Sequence, residues 1–413
     1  MPTVLMLSWE YPPYLVGGLS RHVYALSREL AAQGHQVHVL TRSAPGLPLQ
    51  SVEGGVTVTR VQPYFQEPQD FRLWVTHLNF ALMEAGAALL QQLDGPVVVH
   101  AHDWLVAHAA KGLKGLFHLP MVATIHATEH GRHGGIHDGG QQYINDVEWW
   151  LTYEAWRVVV CSQAMRAEVR NLFGLSDDKV AVIPNGIDLP GRAGGPPRTA
   201  FATPDERLVF HIGRLVPEKG AGVLIEALPL LLRRHPVRVV IAGKGPFEAE
   251  LRRRAQTLGV ADWVHFAGWV DDVTAQALYR HADVAVAPST YEPFGIVALE
   301  AMAGGAPLVA SDVGGLAEIV RHEQNGLKAA PGDPLSLAEH IDRLLTDRTL
   351  AARLAASARA EVEAHYTWAS VAAQTSAVYA DVIAECAASP WGSLRSLQCI
   401  PPPSGELPGR YTI

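Results

Sequence analysis

Short apolar runs recur along this chain, and each ends in a glycine-rich or polar loop followed by a helix-length segment. Thr3-Val-Leu-Met-Leu-Ser opens the series, and Arg207-Leu-Val-Phe-His-Ile-Gly213 restarts it in the second half. The runs are continuously apolar rather than alternating, which marks strands buried on both faces. Strands of that kind, separated by helices, form parallel sheets. At 413 residues the chain exceeds one comfortable core, so two domains are expected. The Pro/Gly-rich stretch that begins at Leu189 is the natural joint. The predicted division is 1–188 for the first domain and 189–365 for the second.

The elements follow from periodicity. Leu19, Val23, Leu26 and Leu30 keep helical spacing, and Gly34 is a C-cap candidate. Strands are predicted at 36–41, 56–61, 96–102, 121–126, 157–162 and 179–183. Helices are predicted at 71–93, at 141–156 with Trp149, Trp150 and Trp156 as core, and from an N-cap at Ser162 to Leu172. The second half gives strands at 207–213, 237–243 and 263–268, and helices near 336–345, 350–364 and 366–388. The tail, 389–413, is rich in Pro, Ser and Gly and is expected to be flexible. No apolar run is read as a membrane span.

The second half holds the stretch around which a site is expected. Asp283-Val-Ala-Val-Ala-Pro-Ser and Pro307-Leu-Val-Ala-Ser read as neighbouring buried strands. Between them lies Glu292-Pro-Phe-Gly-Ile-Val-Ala-Leu-Glu300, a loop that becomes a helix near Gly295. Open α/β sheets bind ligands at the carboxyl ends of their strands. The amides of Phe294, Gly295 and Ile296 open that helix and suit an anion. Glu292 and Glu300 repel an anion, so they suit sugar hydroxyls instead. Arg214 and Lys219 flank the turn after the strand at 207–213, where a fork and a point charge can hold a diphosphate. Gly17-Gly18 offers close backbone approach at another helix start.

Net charge excludes some partners. At −8 the chain is no general binder of nucleic acid or anionic membrane. Cys161, Cys386 and Cys399 are too few and too dispersed for a disulfide framework, and the N-terminus lacks a secretory pattern, so the cytoplasm is expected. Between His126 and Asp138 lie His130, His133 and His137, which invites a metal reading. Zinc sites show tighter ligand pairs, and no cysteine is near, so a substrate-facing loop is expected with His126 as its key donor. Trp269 and Val270 follow another strand, where a flat base could lie.

These pieces, in this order, resemble a retaining glycosyltransferase of family 4. The resemblance rests on Glu292 and Glu300 within Glu-Pro-Phe-Gly-Ile-Val-Ala-Leu-Glu-Ala-Met-Ala-Gly-Gly. Gly17-Gly18-Leu19, His102-Asp103-Trp104, Ile183-Pro-Asn-Gly-Ile-Asp188, Gly213-Arg214, Glu218-Lys219-Gly220 and Gly243-Lys-Gly-Pro246 support it. The first loop and the His-Asp-Trp tripeptide are most similar to glycogen and starch synthases, although Val16 stands where those enzymes commonly carry Lys.

The resemblance implies a GT-B fold, two Rossmann-like domains facing across a cleft, with helix 366–388 crossing back to the first. It implies Arg214 and Lys219 on the donor diphosphate with Gly18, Glu300 on the ribose, and Glu292, Phe294, Gly295 and Ile296 around sugar and phosphate. His126 would bond the sugar, and Asp103, Trp104 and Glu10 would lie on the acceptor side. The implied substrates are ADP-glucose or UDP-glucose and an α-1,4-glucan, with no metal and no other cofactor. Trp9, Tyr11, Tyr14 and Trp104 are expected on an aromatic cleft rim. Two other readings compete: a hexosyltransferase for a small sugar, sugar phosphate or lipid-linked acceptor, and a non-catalytic sugar-nucleotide binder. Intact Glu292, Glu300, Arg214 and Lys219 weigh against the last.

Overall fold

The structure, a computed structural model, describes residues 1–14, 17–64, 70–189 and 194–393. Val16, most of the proline-rich joint, Cys399 and the tail from residue 394 lie outside the described residues.

The first half runs β1 (Thr3–Leu7), α1 (Gly18–Ala32), β2 (Gln36–Arg42), β3 (Gln50–Glu53), β4 (Val56–Val61), α2 (Phe71–Leu90), β5 (Val97–His102), α3 (Ala107–Phe117), β6 (Met121–Ile125), α4 (Glu129–His133), α5 (Gly139–Glu154), β7 (Arg157–Val160), α6 (Gln163–Phe173) and β8 (Val180–Val182). These strands form an 8-stranded sheet in the order β3-β4-β2-β1-β5-β6-β7-β8. Pairing is parallel except for the edge strand β3, which runs antiparallel to β4. Every side chain of β1 and β5 is buried, because helices cover both faces.

The second half runs β9 (Arg207–Ile212), α7 (Ala221–Leu231), β10 (Val237–Ala242), α8 (Glu248–Thr257), β11 (Val264–Gly268), α9 (Asp272–His281), β12 (Val284–Ala287), α10 (Ile296–Gly304), β13 (Leu308–Ser311), α11 (Gly314–Ile319), β14 (Leu327–Ala329), α12 (Pro334–Thr346), α13 (Arg348–His365), α14 (Trp368–Ala388) and α15 (Pro390–Ser393). Its strands make a parallel 6-stranded sheet, β11-β10-β9-β12-β13-β14. The architecture is α/β with two parallel-sheet domains.

Helix α14 leaves the second domain and packs on α1, β5 and β6 of the first. Its Tyr379 is fully buried, and its hydroxyl lies 2.6 Å from His100 Nδ1 on β5. The two chain crossings meet where the Ile187 amide donates to the Tyr366 carbonyl at 2.9 Å.

Several expectations are corrected. Residues 390–393, expected in the flexible tail, form α15, whose Trp391 ring lies 4.8 Å from the His118 ring; the rest of that expected tail is outside the described residues. The polar loop after His126 contains α4, with Thr128 and Asp138 capping α4 and α5. Helix α5 ends at Glu154, and its Trp149 is 45% exposed rather than core. Helix α2, with a mean hydropathy of 1.3 over its best window, is long and apolar enough to cross a membrane. Here it covers the first sheet, with Val75, Leu78 and Leu82 buried. Helices α3, α8 and α9 and strand β3 were not anticipated, because short, charged or small-residue segments carry weak periodicity.

Candidate active site

The second domain supplies the charged wall of the site. Lys219 ends the turn after β9, and Gly220 follows with φ +72. A Cβ there would stand 1.9 Å from the Pro288 carbonyl oxygen, so the turn packs directly against the loop after β12. That contact brings Lys219 to Glu292. The ammonium bonds both carboxylate oxygens at 2.9 and 2.8 Å, and Ser289 Oγ donates to the same carboxylate at 3.1 Å. Glu292 is only 7% exposed, and polar groups that deep in a fold need such partners. Arg214, by contrast, is half exposed and pairs with Glu218 at 3.3 Å.

Gly295, with φ +107, turns the chain from this loop into α10. The amides of Phe294, Gly295 and Ile296 have no acceptor among the described residues. Helix α1 starts at the same point of the cleft: a Cβ on Gly18 would lie 3.2 Å from Ile296 Cδ1. Two helix N-termini therefore converge, one from each domain, and both favour an anion between them. The Gly17 amide donates to Glu10 Oε2 at 3.3 Å.

Glu300 lies one turn into α10. Tyr279 donates to it at 3.3 Å, and Arg21 of α1 reaches across to it at 2.8 Å while also holding Asp272 at 2.6 Å. Burial raises the Glu300 pKa, and the Arg21 charge opposes that shift.

The first domain supplies a different wall. His102 and His126 end β5 and β6, and His22 projects from α1. His102 Nδ1 lies 3.2 Å from His126 Nε2, and the His22 and His126 rings meet edge to face at 4.8 Å. Asp103, with φ 61, accepts the His126 amide at 2.7 Å. Burial pushes the Asp103 carboxyl up to about 6, against the pull of Arg132. Burial drives His126 down to about 3, and His22 equally, so both rings are neutral at ordinary pH.

The domains touch around this cleft. Ser162 Oγ donates to the Pro293 carbonyl at 2.7 Å, and the α6 amides of Gln163 and Ala164 donate to Glu318 at 3.0 and 2.8 Å. Tyr291 donates to Glu168 at 3.0 Å.

Not every expected residue faces the cleft. Trp104 is 4% exposed and Tyr11 2%, so neither ring forms a rim. Glu10, 3% exposed, serves the Gly17 turn rather than an open acceptor surface. Phe71 is 51% exposed, and its ring stacks on Trp74 and stands edge-on to Trp9 and Trp104. Trp269 is 66% exposed on the second domain. Sequence reasoning missed His22, Arg21, Tyr279 and Ser289. His22 and Arg21 sit within one turn of Gly17-Gly18, and that proximity was the only signal available.

Comparison with known proteins places this geometry. Residues 16–190 match the family described as Glycosyltransferase Family 4, and residues 198–361 match Glycosyl transferases group 1. The chain is 42% identical over 393 residues to a glycogen synthase of Mycobacterium tuberculosis, covering 91% of this chain and 94% of that one. It is 31% identical to a D-inositol 3-phosphate glycosyltransferase of Acidothermus cellulolyticus, covering 89% and 86%. A sucrose-phosphate synthase structure from Thermosynechococcus elongatus superposes with TM-score 0.79 at 27% identity, covering 93% and 100%. With a GT-B arrangement, both halves matched in order and the charged loop facing the histidine wall, the chain belongs to the family 4 glycosyltransferases.

Proposed function

We propose that this glycosyltransferase moves glucose from ADP-glucose or UDP-glucose onto the non-reducing end of an α-1,4-glucan, with retention of anomeric configuration. The observation that carries the reading is the convergence of Lys219, Glu292 and the α1 and α10 N-termini opposite His126. Lys219 and Arg214 neutralise the donor diphosphate, and the amides of Gly18, Phe294, Gly295 and Ile296 complete its cradle. These preorganised positive groups stabilise the departing nucleoside diphosphate without a metal. Glu292 holds sugar hydroxyls and keeps Lys219 in place. Glu300 takes the ribose hydroxyls once Arg21 yields one of its oxygens. His126, neutral and held through its backbone amide by Asp103, bonds the sugar from the other domain, with Asp103 beside it on the acceptor side. Domain closure keeps water from the reacting carbon. Cys161, a free and buried thiol, suits a reducing cytoplasm.

The 42% identity to a glycogen synthase supports the glucan acceptor. The D-inositol 3-phosphate glycosyltransferase relatives favour a second reading, transfer to a small phosphorylated acceptor. Labelled ADP-glucose and UDP-glucose, offered glycogen, maltose, glucose 1-phosphate, inositol phosphate or no acceptor, separate the two. Label should enter glycogen in bonds that an α-1,4-specific amylase releases. Label confined to a monosaccharide or sugar phosphate would select the second reading. Binding without turnover would contradict both.

A further inference from the structure

The histidine wall holds more nitrogen than sugar contact requires. One ring nitrogen from each of His22, His102 and His126 lies within 4.8 Å of the other two. His22 Nδ1 sits 2.7 Å from Asn185 Oδ1, an atom that can only accept. His22 therefore carries its proton on Nδ1 and presents a lone pair at Nε2. That Nε2 is buried and has no hydrogen-bond partner. Unsatisfied buried polar atoms are costly and need an explanation. The 3.2 Å between His102 Nδ1 and His126 Nε2 is close to the separation of about 3.3 Å between two imidazole nitrogens on one tetrahedral zinc.

We propose that His22, His102 and His126 form a site for a zinc-class divalent ion, and that the ion inhibits transfer by taking His126 away from the sugar. The inhibitory half of this proposal rests on the role given to His126 above; the site itself does not. Three imidazoles and no carboxylate suit zinc, cobalt(II) or nickel(II) and disfavour magnesium and manganese, which want oxygen ligands. Three protein ligands leave a fourth position for water or another ligand. Asn185 fixes the His22 tautomer from behind, as outer partners of metal-bound histidines do. The proton shared by His102 and His126 moves to the far nitrogen of the ring that carries it. A transferase that needs no metal would thus be switched off by one.

Cobalt(II) titration of the full-length chain tests the site, because four-coordinate cobalt absorbs intensely in the visible. One equivalent should produce that band, zinc should abolish it and magnesium should not. His22→Gln and His102→Gln should each lose the band while keeping a cooperative thermal transition. Asn185→Ala, which leaves all three ligands in place, should weaken cobalt binding about 10-fold or more. His133→Ala, on the exposed helix α4, should change nothing in the spectrum. No band in the parent protein, or a band that survives His22→Gln, would overturn the site. In the transfer assay, equimolar zinc should inhibit, EDTA should restore the rate, and His22→Gln should raise the zinc concentration for half-inhibition at least 10-fold. Zinc bound at this site without loss of rate would overturn the inhibitory role. If no acceptor were glycosylated at all, the spectrum would still decide whether the site exists.

Discussion

The two walls of the cleft are built from opposite materials. The second domain presents charges: Lys219 on Glu292, Arg214 on Glu218, and Glu300 bonded to Tyr279. The first presents neutral rings: His22, His100, His102 and His126 all have pKa values lowered by burial. The cause lies in what covers each wall. The charged residues stand on loops beyond β9 and β12. The histidines stand at the ends of β5 and β6 and on α1, where α14 closes over them with Trp368 against His22 and Tyr379 against His100. On the proposed function, the difference separates two tasks. A diphosphate needs fixed positive charge, whereas a sugar needs neutral donors and acceptors that do not compete for that charge.

Removing one charge should break the division most severely. Lys219→Ala strips Glu292 of its cation as well as the donor of its clamp. We expect a loss of about 2–4 kcal/mol of transition-state stabilisation, on the order of 30- to 1000-fold in kcat/KM for the donor. Arg214→Ala, at a half-exposed position, should fall at the lower end of that range. Donor kinetics unchanged in both variants would remove the clamp from the account.

The neutral wall should respond differently. His126→Ala should lower kcat by about 5- to 30-fold, the scale of one to two kcal/mol of lost hydrogen bonding, with a smaller change in donor affinity. Equal damage to kcat and donor affinity would show that the walls share one task.

Acid should act on the neutral wall before the charged one. Each depressed histidine binds its proton more readily when the chain is unfolded, near pH 6.5, than when folded. Its contribution is therefore complete above pH 6.5 and lost as pH falls toward the folded value, about 3 for His22 and His126. At pH 5 the loss can reach about 2 kcal/mol per group. Denaturant titrations at pH 7 and pH 5 should show this drop, and His22→Gln should reduce it. Glu148 acts with the opposite sign. Burial raises it to about 8, so its contribution is present below the ordinary glutamate value and lost as pH rises through 8.

The smallest effect should come from the link between the walls. Arg21 is half exposed, and exposed ion pairs contribute at most about 1 kcal/mol. Arg21→Ala frees Glu300 for the ribose, so donor affinity should rise slightly, by no more than about 5-fold. A large fall would instead make Arg21 a donor ligand.

Much of this was legible in the chain. Continuous apolar runs such as Val97–Val99 and Val284–Ala287 have one stable use, and they gave both sheets. Ser162 reads as an N-cap and is one, with Oγ accepting the Met165 amide. The charged wall was also readable, because Arg214, Lys219, Glu292 and Glu300 lie in short segments at strand ends. The neutral wall was not. His22 faces inward from a helix whose apolar pattern does not need it, and it meets His102 and His126 only through three-dimensional closure. Aromatic type was equally uninformative about exposure: Trp104 is buried while Phe71 and Trp149 are not, because packing between neighbouring helices decides which ring is covered.

Isothermal titration of ADP and UDP in excess EDTA, against the parent protein, Lys219→Ala and His126→Ala, tests the division of labour most directly. At least one nucleotide should bind the parent protein without metal. Lys219→Ala should weaken that binding at least 10-fold, and His126→Ala should leave it within about 2-fold, since a charged contact is worth more than 1.4 kcal/mol and the proposed role of the histidine is on the sugar. Binding that requires magnesium or manganese, or that falls as far in His126→Ala as in Lys219→Ala, would contradict the account.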